Sequence, residues 1–284
     1  ATFQQDLGTA VTGLINELAA DQVVQQYVTD RYGAAVGGLL ADTAVVGEVA
    51  SAVGSALTQL LGYSGVSTAL TDAADQFVDA VLAGTDTGAA AQAALKSIQT
   101  APSVVAAVNA VIPPILNTLL DTTDVRQAIG VVAQQATIAR LDQSWFHIAF
   151  LDRMIGQVAK GTVEDFLTRT AGRRLVDDVV VHLVLGMPVS DATDFVVDEV
   201  LRKPGLQIAL GFSLGAGIGS LFGDNILGEV IGWVSGFPAT IAVGVAAVVI
   251  GVYEWIVGLV SSVIDGIAGP AQSGGIPYPE ARIA

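Results

Sequence analysis

Apolar residues in the first half of the chain recur at steps of three and four, the periodicity of an amphipathic α-helix. Val45, Val49, Val53, Leu57, Leu60 and Leu61 form one such series; Val104, Val108, Ile112, Leu116, Leu119 and Leu120 form a second. The two coincide at an offset of 59 residues, and the match continues through Val66 with Val125 and Leu70 with Ile129. Apolar runs begin at Val23, Val45, Val66, Val104 and Val125, spaced 22, 21, 38 and 21 apart, and the wide gap holds a shorter unit around 87–98. Polar residues punctuate these runs. Asp42-Thr43, Ser64, Ser103 behind Pro102, and Thr123-Asp124 supply side-chain oxygens suited to cap the next helix. Gly62 and Gly84 suit helix ends, and Pro113-Pro114 interrupts one helix or delays its start. Residues 1–142 therefore predict an all-α domain of six to eight short helices, stacked as antiparallel hairpins in a repeat-like order.

The pattern changes at 143–204, which predicts a charged helical connector. Trp145, Phe146 and Phe150 cluster at its start, Arg169, Arg173, Arg174, Asp177 and Asp178 mark a charged helix pair, and Ser190, Asp191 and Asp194 open a helix closed by Arg202-Lys203-Pro204. Acids at that helix's start and bases at its end suit the helix dipole.

The last third is apolar. Residues 206–222 carry no charge; at 17 residues they span about 26 Å as a helix, near the lower limit for crossing a bilayer. Gly223-Asp224-Asn225 breaks the run, and 230–253 follow with 24 uncharged residues that include Pro238. Gly211, Gly215, Gly219 and Gly223 fall every fourth residue, Gly228, Gly232 and Gly236 repeat the spacing, and Gly244, Gly251 and Gly258 follow at steps of seven. Each glycine costs a helix about 1 kcal/mol relative to alanine. Aligned on one face, they let another helix backbone approach closely, which is how helices associate where the surroundings are already apolar. Residues 205–265 thus predict a Gly-faced helical hairpin inserted in a membrane, with these ten glycines as helix-packing and oligomerisation positions. Tyr253, Glu254 and Trp255 mark either the headgroup level, where Tyr and Trp concentrate, or a carboxylate lining a pore. Residues 266–284, with Gly274-Gly275, Pro277 and Pro279, predict an extended tail.

Composition sharpens this picture. Of 284 residues, 52% are hydrophobic and 14% charged, against roughly 25% charged in an ordinary soluble domain; mean hydropathy is +0.63. The net charge of −15 is uneven, with 13 acids and 4 bases in 1–142, 9 and 7 in 143–204, and 5 and 1 in 205–284. Such a surface repels nucleic acid and anionic headgroups, so no nucleic-acid partner is expected and membrane attachment must be hydrophobic. There is no cysteine, which excludes disulfides, cysteine catalysis and thiolate metal sites.

Little in the chain suggests chemistry. Gly211-Phe212-Ser213-Leu214-Gly215 resembles the G-x-S-x-G nucleophile elbow of the α/β-hydrolases, a family in which the acid and then the histidine follow the serine. Here His147 and His182 both precede it, and strand–helix alternation is missing. The histidines lack neighbouring ligands at metal spacing. Asp191, Asp194, Asp198 and Glu199 offer oxygens to a hard cation, or simply a solvated helix face. No enzyme activity, cofactor or metal is expected.

The Ala/Val/Gly-rich acidic helices without cysteine resemble exported cell-envelope proteins of mycobacteria and related actinobacteria, which implies an exported, membrane-associated protein of the cell envelope. The terminal apolar hairpin resembles that of pore-forming colicins. The expectation is a non-enzymatic homo-oligomer whose partners are itself and the lipid membrane, forming a pore or tube. The alternatives are a scaffold anchored by its hairpin and a soluble protein that inserts later.

Overall fold

The computed structural model describes residues 2–32, 34–142 and 149–222. Among them every element is helical. The helices are α1 (Thr2–Ala20), α2 (Gln22–Tyr32), α3 (Ala34–Ala41), α4 (Thr43–Gly62), α5 (Ser64–Leu82), α6 (Thr87–Thr100), α7 (Pro102–Asp121), α8 (Thr123–Asp142), α9 (Ala149–Phe166), α10 (Thr170–Val184), α11 (Val189–Arg202) and α12 (Pro204–Phe222). Eight of them lie in the first 142 residues, the upper end of the expected range.

The offset of 59 governs helix boundaries as well as sequence. It carries Thr43–Gly62 onto Pro102–Asp121, and it carries the start of α5 at Ser64 onto the start of α8 at Thr123. A third helix follows each pair, α6 in the first unit and α9 in the second. Local signals account for the ends. Asp42 accepts from the Ala44 and Val45 amides at the head of α4, and Asp86 caps α6 through the Ala89 amide. Ser64 and Ser103 do not cap: each is inside its helix, and the Ser103 hydroxyl instead donates to the Gly65 carbonyl at 2.9 Å, tying α7 to α5. Gly84 ends the α5 hairpin with φ +90°, a conformation natural only to glycine.

Pro113-Pro114 neither breaks α7 nor delays it; the helix runs unbroken through both. The two missing amides release the carbonyls of Asn109 and Ala110, and both residues are exposed, on the side of the helix open to water. Pro102 instead sits in the first turn, where no amide is needed.

Apolar helices of bilayer length are not confined to the last third. α4 and α7, each of 20 residues, are long and apolar enough to cross a membrane by length and composition. Their charges are few: Glu48 alone in α4, and Asp121 at the end of α7. Both are the first helices of the repeat units, and their Val45, Val49, Val104, Val108 and Leu120 side chains lie in the core.

Packing is antiparallel at its tightest seams. On α1 and α4, Gly8 and Gly54 face each other: a Cβ on Gly8 would lie 2.9 Å from the Gly54 carbonyl, and one on Gly54 2.8 Å from that of Gly8. Thr12 and Thr58 fill the flanks, each donating back to the carbonyl four residues earlier, at 2.9 and 2.8 Å. On α8 and α9, Glu164 lies over Gly130, while Ile138 and Gln134 lie over Gly156. One cluster of buried side chains runs from Ile15 in α1 to Leu210 in α12, with Phe166, Leu167, Ile129 and Val132 near its centre.

Candidate functional site

α12 carries the part of the glycine series that the structure describes. Its inward side is formed by Leu206, Ala209, Leu210, Ser213, Leu214 and Gly217, all buried and packed mainly toward α9. The close approach is made by Gly217, where an added Cβ would sit 2.5 Å from both the Thr162 hydroxyl and the Val158 carbonyl of α9. Gly217 lies between members of the predicted series and was not among them. Its signal was the apolar spacing Leu206, Leu210, Leu214, Gly217, which continues one helical face.

The predicted series lies elsewhere on the helix. Gly211 is half-buried, and among the described residues nothing beyond its own helical turn lies within 4 Å of the Cβ it lacks. Its neighbours Ile208 and Phe212 are 54% and 48% exposed, so α12 presents an apolar face with a bare backbone position away from α9. Gly215 is buried, and Gly219 falls in the last turns of the helix. Gly223, Gly228, Gly232, Gly236, Gly244, Gly251 and Gly258 lie outside the described residues, as do Tyr253, Glu254, Trp255 and His147.

Ser213 is fully buried in mid-helix. Its hydroxyl donates to the Ala209 carbonyl at 3.0 Å and accepts from Arg169 Nε, also at 3.0 Å. The same Nε contacts Asp165 at 2.6 Å, and the guanidinium stacks over the Phe212 ring 5.5 Å from its centroid. This Asp165–Arg169–Ser213 chain docks α12 on the end of α9. A nucleophile elbow needs a strand–turn–helix and a base; Ser213 sits within a continuous helix and its partners are a carbonyl and an arginine. His182 is exposed on α10, its Nδ1 2.6 Å from the Asp178 carbonyl and its ring 4.7 Å from that of Phe195.

Beside this junction α8, α9 and α12 enclose an open cleft of ≈ 350 Å³, with Arg126, Glu164, Asp165 and Ala216 among its walls. Burial pushes the Glu164 carboxyl above its ordinary value, against the opposing pull of Lys160 and Arg126. Lys160 Nζ stands 3.8 Å away, beyond hydrogen-bond reach, and Glu164 Oε1 is buried without a hydrogen-bond partner. Arg126 is committed to the Leu120 carbonyl at the end of α7 and to Thr123. Arg173 likewise binds the Leu167 carbonyl at 2.9 Å and Asp121 at 2.7 Å. Among the described residues these two cations serve helix ends and junctions. Among the described residues no three His, Asp or Glu side chains come together as metal ligands. Within the acidic group on α11, Asp198 pairs with Arg202 at 2.7 Å and Glu199 with Lys203.

Comparison with protein families, with curated proteins and with solved structures found no match.

Proposed function

We propose that the chain is a non-enzymatic membrane protein of the cell envelope that assembles with copies of itself through glycine-bearing apolar helices in its C-terminal third. The observation that carries this reading is the outer face of α12. Ile208 and Phe212 are exposed there around Gly211, whose missing side chain leaves room for another helix backbone. Beyond the break at 223–229, the sequence continues with a further apolar stretch, 230–253, without a charge. α4 and α7 add two more helices of bilayer-compatible length. Repetition of one such contact around an axis closes a ring, and a path through it would favour cations because the chain is strongly acidic.

The test is the particle mass by light scattering, with and without detergent, for the wild type and for Gly211→Leu. Among the described residues no atom beyond the helix's own turn lies within 4 Å of the added Cβ, so the substitution leaves the described fold intact. The expected outcome is a discrete, detergent-dependent multimer that dissociates in Gly211→Leu. A stable monomer in plain buffer would overturn the membrane reading, and an unchanged multimer in the variant would overturn the role of the face.

A further inference from the structure

The seam between α1 and α4 has an internal two-fold symmetry, and its contacts come in pairs. The Thr12 hydroxyl donates across it to the Ala50 carbonyl at 3.2 Å, and the Thr58 hydroxyl donates to the Gln4 carbonyl at 3.3 Å. A Cβ on Gly8 would meet the Thr58 hydroxyl and the Gly54 carbonyl; one on Gly54 would meet the Thr12 hydroxyl and the Gly8 carbonyl. Exchanging Gln4 with Ala50, Gly8 with Gly54 and Thr12 with Thr58 turns each contact into its mate, and every exchange is a step of 46 residues. On that step Leu7-Gly8-Thr9-Ala10-Val11-Thr12 matches Val53-Gly54-Ser55-Ala56-Leu57-Thr58, and Leu14-Ile15 matches Leu60-Leu61. The match emerges once the seam sets the two helices against each other. α1 is a near copy of the stretch of α4 that it covers.

A helix that binds a near copy of itself antiparallel is equipped to bind itself. In a pair of α4 helices from two chains, Gly54 would face Gly54 across the axis, and each Thr58 would donate to the other chain's Ala50 carbonyl, the acceptor that Thr12 uses now. Charge does not oppose this pairing. Glu48 is exposed, and in that register it falls opposite Leu60. The displaced α1 helices have the same option through Gly8 and Thr12, so two chains exchange two seams for two equivalent ones. The matching face of α7 is different. Its counterparts at the offset of 59 are Asn109, Pro113 and Asn117, and Asn117 meets Asp177 of α10 at 3.1 Å instead of a copy of its own helix. We infer that the Ala50–Gly54–Thr58 face of α4 is a self-association surface whose partner is the same face of a second copy, and that α1 covers it in the single chain. Tethering gives α1 a high local concentration, so the face passes to a second copy as copies become concentrated. A contact of this symmetry closes as a dimer. It is independent of the assembly face on α12.

The experiment uses the full chain, whose lack of cysteine makes introduced thiols unambiguous. Ser55→Cys, Gln59→Cys and Thr9→Cys all fall at exposed positions, so each leaves the packing untouched. In the α4 pair, Ser55 would lie about 3 Å along the axis from its own copy and Gln59 about 15 Å from its copy. A short homobifunctional maleimide is added at rising protein concentration and the products are separated by mass. The expected result is a cross-linked Ser55→Cys dimer whose share rises about tenfold for each tenfold in concentration while monomer dominates. Gln59→Cys should give less than about a tenth of that dimer, because its thiols are out of reach. Adding Gly211→Leu to Ser55→Cys should leave the yield unchanged. No dimer through Ser55, equal yields through Ser55 and Gln59, or loss of the dimer with Gly211→Leu would overturn the inference. A mixture of Thr9→Cys chains with Ser55→Cys chains supplies the last arm. A mixed dimer in excess of the Ser55–Ser55 dimer would also overturn it, since α1 would then have changed chains while α4 stayed unpaired with its copy.

Discussion

Asp177 is the clearest example of a residue held against its preference. It lies on α10, 8% exposed, facing α7. Asn117 donates to its Oδ2 at 3.1 Å while also donating to the Pro113 carbonyl at 2.8 Å. The other carboxylate oxygen is buried without a hydrogen-bond partner. Burial pushes its pKa above the ordinary 3.8; the Asn117 hydrogen bond opposes the rise, Asp178 adds to it and Arg173 opposes it. Folding therefore favours the protonated form more than the unfolded chain does. The contribution of this group to stability is fully present below pH 3.8 and is lost as the pH rises through the raised value. Asp177→Asn should accordingly stabilise the protein at pH 7 by about 1 kcal/mol, the scale of one unsatisfied buried acceptor. The gain should shrink as the pH is lowered. Urea midpoints of both proteins at pH 7 and pH 4 check this, and a variant less stable than wild type at pH 7 would refute it.

At the scale of elements, glycines set how closely the helices lie. The Gly8–Gly54 contact between α1 and α4 and the Gly217 contact between α12 and α9 leave no room for a side chain, because carbonyl oxygens occupy the space. Gly54→Leu and Gly217→Leu should each cost about 3 kcal/mol in denaturant unfolding, the upper range for overpacking a seam that is backbone on both sides. Gly211→Leu should cost almost nothing by the same measurement. Were all three alike, the close approaches would not govern stability. The helices themselves were legible in the sequence, since the apolar steps of three and four and the 59-residue offset predicted α4, α5, α7 and α8. The seams were not. Gly8 and Gly54 belong to no visible series, and a glycine's importance depends on what lies opposite, which one helix's pattern does not contain. Pro113 and Pro114 misled for a related reason: a local rule against proline in helices gives way where the released carbonyls lie on the exposed side and the opposite side is buried in the core. Of the candidate site, the part on α12 was legible as a helix, but its orientation was not: the four-residue series singled out Gly211 and passed over Gly217, and only the position of α9 shows that Gly217 makes the close approach.

The whole molecule combines a continuous core from Ile15 to Leu210 with 27 acidic residues against 12 basic ones. Like charges on one body repel, and among the described residues acids such as Asp72, Asp75 and Asp79 join no ion pair that would offset this. Raising NaCl from about 0.05 to about 0.5 M, which shortens the screening length to a few ångströms, should therefore increase the urea midpoint. A midpoint that falls with salt would show that ion pairs such as Arg173–Asp121, at 2.7 Å, outweigh the repulsion. The repeat carries a different consequence for the architecture. Because the helix boundaries of one unit recur 59 residues later, the chain can change length only in whole helix triplets without disturbing the register of its neighbours. Duplicating 43–101 would place Thr100-Ala101 before Thr43 in the way that it now precedes Pro102, giving a longer stack from the same parts. Growth or loss of such proteins would then proceed in quanta of one unit.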